Sequence, residues 1–160
     1  MTTPEERLAE MGLVLPPPVQ LPAELNLPFS MVNRRGDRVL ISGHPRHDAS
    51  GAITGPYGRV GQELTLEEAQ AAAREIGLSV LAHLKVELGE LSRISGWTRV
   101  FGMVSSAPDF SDQHLVINGF SDLILNVFGP EVGRHARSAI GVAALPMNFA
   151  IEIEGEVVLG

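Results

Sequence analysis

Apolar and polar positions alternate along the last quarter of the chain. From Arg137 the odd positions read Arg, Ala, Gly, Ala and the even ones Ser, Ile, Val. Beyond Asn148 the parity reverses, with Ile151 and Ile153 on one side and Glu152, Glu154 and Glu156 on the other. A period of two marks half-buried strands. Leu145-Pro146-Met147-Asn148 between the two runs reads as a turn, so the pattern predicts a C-terminal hairpin. A further alternation over 91–105 sets Trp97, Arg99, Phe101 and Met103 against Thr98, Val100 and Gly102. Two short runs, 29–34 and 38–43, flank Arg35-Gly36-Asp37, where glycine supplies the backbone angles of a hairpin turn.

Between these strands the period lengthens to that of helices. Thr65-Leu66-Glu67-Glu68 is a capping box, in which hydroxyl and carboxylate each satisfy a free N–H. The helix it opens runs to about Glu87 on a stripe of Ala69, Ala72, Ala73, Ile76, Val80, Leu81 and Leu84, and Gly89 ends it. A second helix over 112–128 carries Leu115, Val116, Phe120, Leu123, Ile124, Val127 and Phe128, and Gly129-Pro130 stops it. Residues 3–12 form a short helix with Thr3 as cap, Pro4 at its first position and Glu5 and Glu6 near its positive end. Pro16-Pro17-Pro18 then forces an extended path. The expected division is an N-terminal helical and proline-rich arm, 1–27, as a lid, a subunit clasp or a plain appendage, and one domain, 28–160. Strands and helices in this order describe an α+β sandwich with both long helices on one sheet face. The other face, poor in charge around Ala139, Gly141 and Ala143, calls for cover from further copies of the chain.

Composition narrows the function classes. The chain has 160 residues, enough for a substantial core, and its 44% hydrophobic and 19% charged content is that of a globular protein. Net charge is −7, and of twelve basic residues only Lys85 is a lysine, which disfavours nucleic acid as a partner. No apolar run approaches a membrane span, and no basic amphipathic face suits a membrane surface. The N-terminus lacks the form of a secretory signal, so a cytoplasmic location is expected. The absence of cysteine excludes disulfides and thiolate chemistry.

The candidate chemistry lies in Arg137 and Glu152. A guanidinium grips a carboxylate through a two-pronged fork, and a neighbouring glutamate accepts a proton or holds a water. The alternative is a cross-strand ion pair with no other role. His44 and His47, with Asp48, invite a metal reading, but Gly43 and Pro45 deny them a shared helix face and no third strong ligand follows; neither a metal nor a cofactor is expected. His44 is placed at the rim of a cleft, as an acid, a base or a surface histidine. Gly51, Gly55, Gly58 and Gly61 lack the lysine and the strand–helix context of a phosphate loop. Tyr57 reads as loop packing, and Trp97 as either a core or an interface residue.

The run from Ala136-Arg137-Ser138 to Leu145-Pro146, followed by Ile151-Glu152-Ile153-Glu154, resembles without a gap the C-terminal signature of the reactive intermediate deaminase family, also called Rid, YjgF-like or "endoribonuclease L-PSP". Pro28-Phe29-Ser30, Arg38 to Gly43 and Val116-Ile117-Asn118 resemble its other segments, so the likeness spans about residues 28 to 158. The resemblance implies a chorismate mutase-like fold of the bacillary type, with a mixed sheet, and a homotrimer with clefts between subunits. It also implies hydrolysis of enamines and imines to a 2-keto acid and ammonia. Carried over position by position, it implies Arg137 for the substrate carboxylate and Glu152 for the hydrolytic water. Ser42, Asn118, the backbone of Ala139, Phe29 and, beside Ser42, His44 would line the pocket. The family tyrosine is Phe29 here and the family cysteine is Ala139, so two polar groups are missing. A non-catalytic metabolite-binding protein of the same fold is therefore the alternative, with RNA cleavage a third reading that the charge opposes.

Overall fold

Five strands form one sheet in the order β1-β2-β5-β3-β4. They are β1 (Val32–Arg35), β2 (Arg38–His44), β3 (Ile94–Ser105), β4 (Ala136–Val142) and β5 (Ile151–Leu159). The computed structural model describes residues 2–160. Three helices accompany the sheet: α1 (Pro4–Glu10), α2 (Leu66–Leu88) and α3 (Gln113–Gly133). This is the α+β layout that the alternation and the capping boxes predict. No helix among the described residues is long and apolar enough to cross a membrane.

Local chemistry sets the element ends where the sequence places them. Thr65 accepts from the Glu68 N–H at 3.2 Å, and the Glu68 carboxylate accepts from the Thr65 N–H at 2.9 Å. Thr3 and Glu6 repeat the arrangement at α1. α3 departs from expectation at its end. Gly129 adopts φ 78°, and the chain bends there, with Pro130 following, but resumes helical turns to Gly133. Glycine permits that bend because it has no Cβ to clash.

The C-terminal hairpin is corrected by the structure. β4 pairs in parallel with β3, while β5 pairs antiparallel with β3 on its other side. A parallel partner needs a long crossover, and α3 supplies it. Alternation reveals which face a side chain occupies, not which strand lies beside it.

The core lies between the helices and one sheet face. Val39, Ile41, Val100, Val104, Ile151, Ile153 and Val157 meet Ile76, Leu81 and Leu84 of α2 and Ile117, Phe120 and Ile124 of α3. Trp97 belongs to this core, edge-on to Phe120 and Phe128. α1 docks through Leu8, through Glu5, which accepts from Lys85 Nζ at 2.7 Å and from the Leu91 N–H at 2.8 Å, and through Arg7, which donates to the Val127 carbonyl. The opposite sheet face has no helix. Leu40 and Ile140 are 40% and 42% exposed there. Phe101 and Met103 lie half-buried between Glu152 and Glu154 of β5 and Ser138 and Ile140 of β4.

The helices approach closely through glycines. A Cβ at Gly77 would lie 2.7 Å from a Leu123 methyl, and one at Gly119 would collide with the Gln70 carbonyl. Gly119→Val is expected to lower the unfolding free energy by about 2–3 kcal/mol, read as a fall in urea midpoint at unchanged slope.

Candidate functional site

Arg137 leaves β4 on the helix side of the sheet, because its register partner is the core residue Val100. Its guanidinium meets the first turns of α3. Nη1 donates to Asn118 Oδ1 at 2.9 Å and to Ser121 Oγ at 3.1 Å, and Nη2 donates to the His114 carbonyl at 3.2 Å. Arginine has five N–H groups. These bonds engage three and leave Nε–H and one N–H of Nη2 without a partner among the described residues. Every acceptor is neutral, and among the described residues Arg137 has no salt bridge, unlike Arg38, Arg46 and Lys85. Partial burial pulls its pKa down and the Asp122 charge pushes it back up. A guanidinium remains cationic under either influence. The result is a held, half-buried cation without a counter-ion. Ala139 and Gly141 continue this face of β4 with little side chain to cover it.

Glu152 lies on the other face. Its register partner on β3 is Met103, and β3 separates β5 from β4. Within one chain Arg137 and Glu152 therefore do not meet. The Glu152 side chain lies against Gly43, its Cδ only 2.7 Å from where a Cβ would sit. Burial, and secondarily the charge of Glu154, push its pKa above the usual carboxylate value. Ser42, next to Gly43, donates through Oγ to the Ser30 carbonyl at 2.6 Å. Beside it lies a cleft of about 550 Å³, lined by Pro28, Phe29, Ser30, Leu40, Ser42 and Glu154. Phe29 is 55% exposed at its mouth. Asn118 stands apart from this cleft, on α3 with Arg137.

His44 is not at the rim. It is 0% exposed. Between Ile41 and His44, β2 advances three residues while β5 advances two, from Gly155 to Ile153. This bulge inverts the alternation and turns His44 inward. Its Nδ1–H donates to the Ser42 carbonyl at 2.6 Å, which leaves Nε2 as an acceptor 3.1 Å from His83 Nδ1, whose one proton is shared with the Ser79 carbonyl at 3.0 Å. His83 Nε2 in turn accepts the Val19 N–H of the proline-rich arm at 3.3 Å. His47 completes the cluster, edge-on to His83 at 5.3 Å. Tyr57 stacks on Phe149, as loop packing predicts.

Sequence reasoning missed Ser121, His114 and His135 around Arg137, and His83 beside His44. A usable signal existed. Positions 114, 118 and 121 share one helix face, as do Ser79 and His83 on the otherwise apolar buried face of α2.

Burial lowers His44 to a pKa of about 3 and His47 to about 4, and lowers His83 also. Folded values below the unfolded 6.5 mean that the unfolded chain binds protons first. The contribution is complete above pH 6.5 and is lost as pH falls toward 4 and 3. Stability should decline by up to about 1.4 kcal/mol per pH unit on account of His44, with His47 and His83 adding in the same direction. Urea unfolding at stepped pH checks this, and His44→Gln should flatten the decline.

A family model described as YjgF/chorismate mutase-like, "putative endoribonuclease", matches residues 5–153. Protein TCP17 of Trypanosoma cruzi is 45% identical over 125 residues, 78% of this chain and 76% of that protein. The crystal structure of a protein of unknown function from Agrobacterium tumefaciens superposes with a TM-score of 0.84 at 37% identity, covering 98% of this chain and 92% of that one. TdcF of E. coli, crystallised with bound serine, shares the fold at a TM-score of 0.58 and 18% identity, covering 92% and 96%.

Proposed function

The chain belongs to the YjgF/chorismate mutase-like family, the Rid proteins, and on that premise we propose that it binds a small anionic 2-imino or 2-keto acid in clefts between copies of itself and hydrolyses the imine. The observation that carries this reading is Arg137, a positioned cation with neutral partners and two N–H groups left over. A carboxylate docks on those two N–H groups through a bidentate pair. TdcF, with serine in its crystal structure, is a fold relative that holds a carboxylate-bearing metabolite.

Glu152 faces away from Arg137 within one chain, so the acid and base functions join only if a second copy brings its own Glu152, Ser42 and Phe29 to the first copy's β4 edge. The uncovered Leu40, Phe101 and Ile140 supply apolar surface for that contact, and the assembly is a homotrimer. With the carboxylate held, Glu152 takes a proton from water as its oxygen bonds to the imine carbon. The tetrahedral carbinolamine that forms carries the nitrogen. Glu152 returns that proton to nitrogen, and the carbinolamine hydroxyl then passes its own proton to nitrogen as well, so the C–N bond breaks, the C=O of the keto acid forms and ammonia leaves. The raised pKa of Glu152 makes it a stronger base for the first step. The Ala139 N–H supports charge at the bound acid.

One observation favours a binding protein without turnover. Phe29 has no hydroxyl and Ala139 no thiol, so the pocket has fewer groups to manage protons.

Purified protein mixed with a 2-aminoacrylate generator should release pyruvate faster than the Arg137→Ala variant. Loss of the charged anchor weakens 2-oxobutanoate binding by about 2–5 kcal/mol, measured by calorimetry. Glu152→Gln should keep that binding and lose turnover. Equal release by wild type and Arg137→Ala sinks the hydrolase reading; equal binding sinks the anchor. Light scattering that gives a monomer mass rules out the shared cleft.

A further inference from the structure

We infer that Ser121 and His135 are positioning residues for Arg137: His135 directs the Ser121 hydroxyl, and that hydroxyl fixes which edge of the guanidinium is presented to a carboxylate. The inference rests on the reading of Arg137 as anion anchor and adds the device that aims it.

The direction of each hydrogen bond follows from one carbonyl. His135 Nδ1 lies 2.7 Å from the Gly133 oxygen, which can only accept, so Nδ1 carries the proton. Nε2 is then a bare lone pair, 2.9 Å from Ser121 Oγ. The Ser121 hydroxyl donates to it and turns its own lone pairs toward Arg137 Nη1, 3.1 Å away. A serine inside a helix ordinarily returns its proton to the carbonyl four residues back. Here the proton goes across to the chain that follows α3. Ser121 is buried and His135 half-buried against Trp97. With Asn118 and Ser121 both bonded to Nη1 and the His114 carbonyl to Nη2, the guanidinium cannot turn about its Nε–Cζ bond without breaking these bonds, so Nε–H and the remaining Nη2 N–H keep one orientation.

The charged groups facing His135 and its relay are Arg137 from β4 and Asp122 from α3; β3 contributes the uncharged Trp97. Burial, and to a smaller degree Arg137, hold His135 neutral to lower pH than a free histidine. Protonation converts Nε2 to a donor, reverses Ser121 and places a second positive charge beside the first. The aim of Arg137 is therefore lost on the acid side.

Nitrogen-15 NMR of the Arg137 side chain tests this, together with calorimetry using 2-oxobutanoate. In the wild type at neutral pH the two Nη signals should be separate, reporting hindered rotation, and should merge on acidification. Ser121→Ala and His135→Phe should merge them at neutral pH and weaken binding by about fivefold to tenfold, the worth of one hydrogen bond. His135→Gln, whose amide can donate to Gly133 and accept from Ser121, should keep the signals separate and bind normally at both pH values. Unchanged separation in Ser121→Ala and His135→Phe overturns the inference, as does an acid loss in His135→Gln equal to that of the wild type. If the Nη signals respond as expected while wild type and Arg137→Ala bind 2-oxobutanoate equally, the relay stands and the anchor reading falls.

Discussion

Seven residues of β4 lie parallel to β3, and that alignment exists because α3 carries the chain back over the sheet before β4 begins. One physical constraint, the long crossover that parallel pairing demands, thus places the same helix against the same strand that bears Arg137. The helix buries Ile117, Phe120 and Ile124 on the sheet and offers Asn118, Ser121 and the His114 carbonyl along its margin. The packing and the polar cradle are two faces of one element. Had β4 folded back on β5 as a hairpin, Arg137 would have had carboxylates for neighbours and its charge would have been neutralised.

The elements themselves were legible in the chain. Thr3, Thr65 and their glutamate partners announce helix starts, and the stripe from Ala69 to Leu84 shows which side is buried. Neighbour relations were not legible, because period-two alternation is blind to the adjacent strand. The C-terminal pair failed for that reason, and His44 failed for a related one. Strict alternation from Ile41 would put His44 on the open face, and one additional residue in β2 reverses it. Nothing in the local composition marks that bulge except Gly43.

Among the candidate residues, Arg137 and Glu152 were found through a family motif, which carries positions without geometry. The structure adds that they face opposite ways, and so moves the question from one chain to an assembly. Ser121 and His135 escaped because a serine within a helix and a histidine just past its end are ordinary polar residues by sequence alone. Only the path Gly133, His135, Ser121, Arg137 makes them more than ordinary polar residues. Phe29 and Ala139, legible as departures from the motif, leave a site whose polarity rests on fewer groups.

Gly43 serves both β2 and the Glu152 carboxyl. It lies within the bulge that turns His44 inward, and its bare backbone is the floor on which the Glu152 carboxyl lies. A methyl group there would lift the carboxyl off its seat without altering a single charge. The Glu152 carboxyl is thus set in height by a missing atom, and a survey of related chains for function should check first that this position has stayed empty.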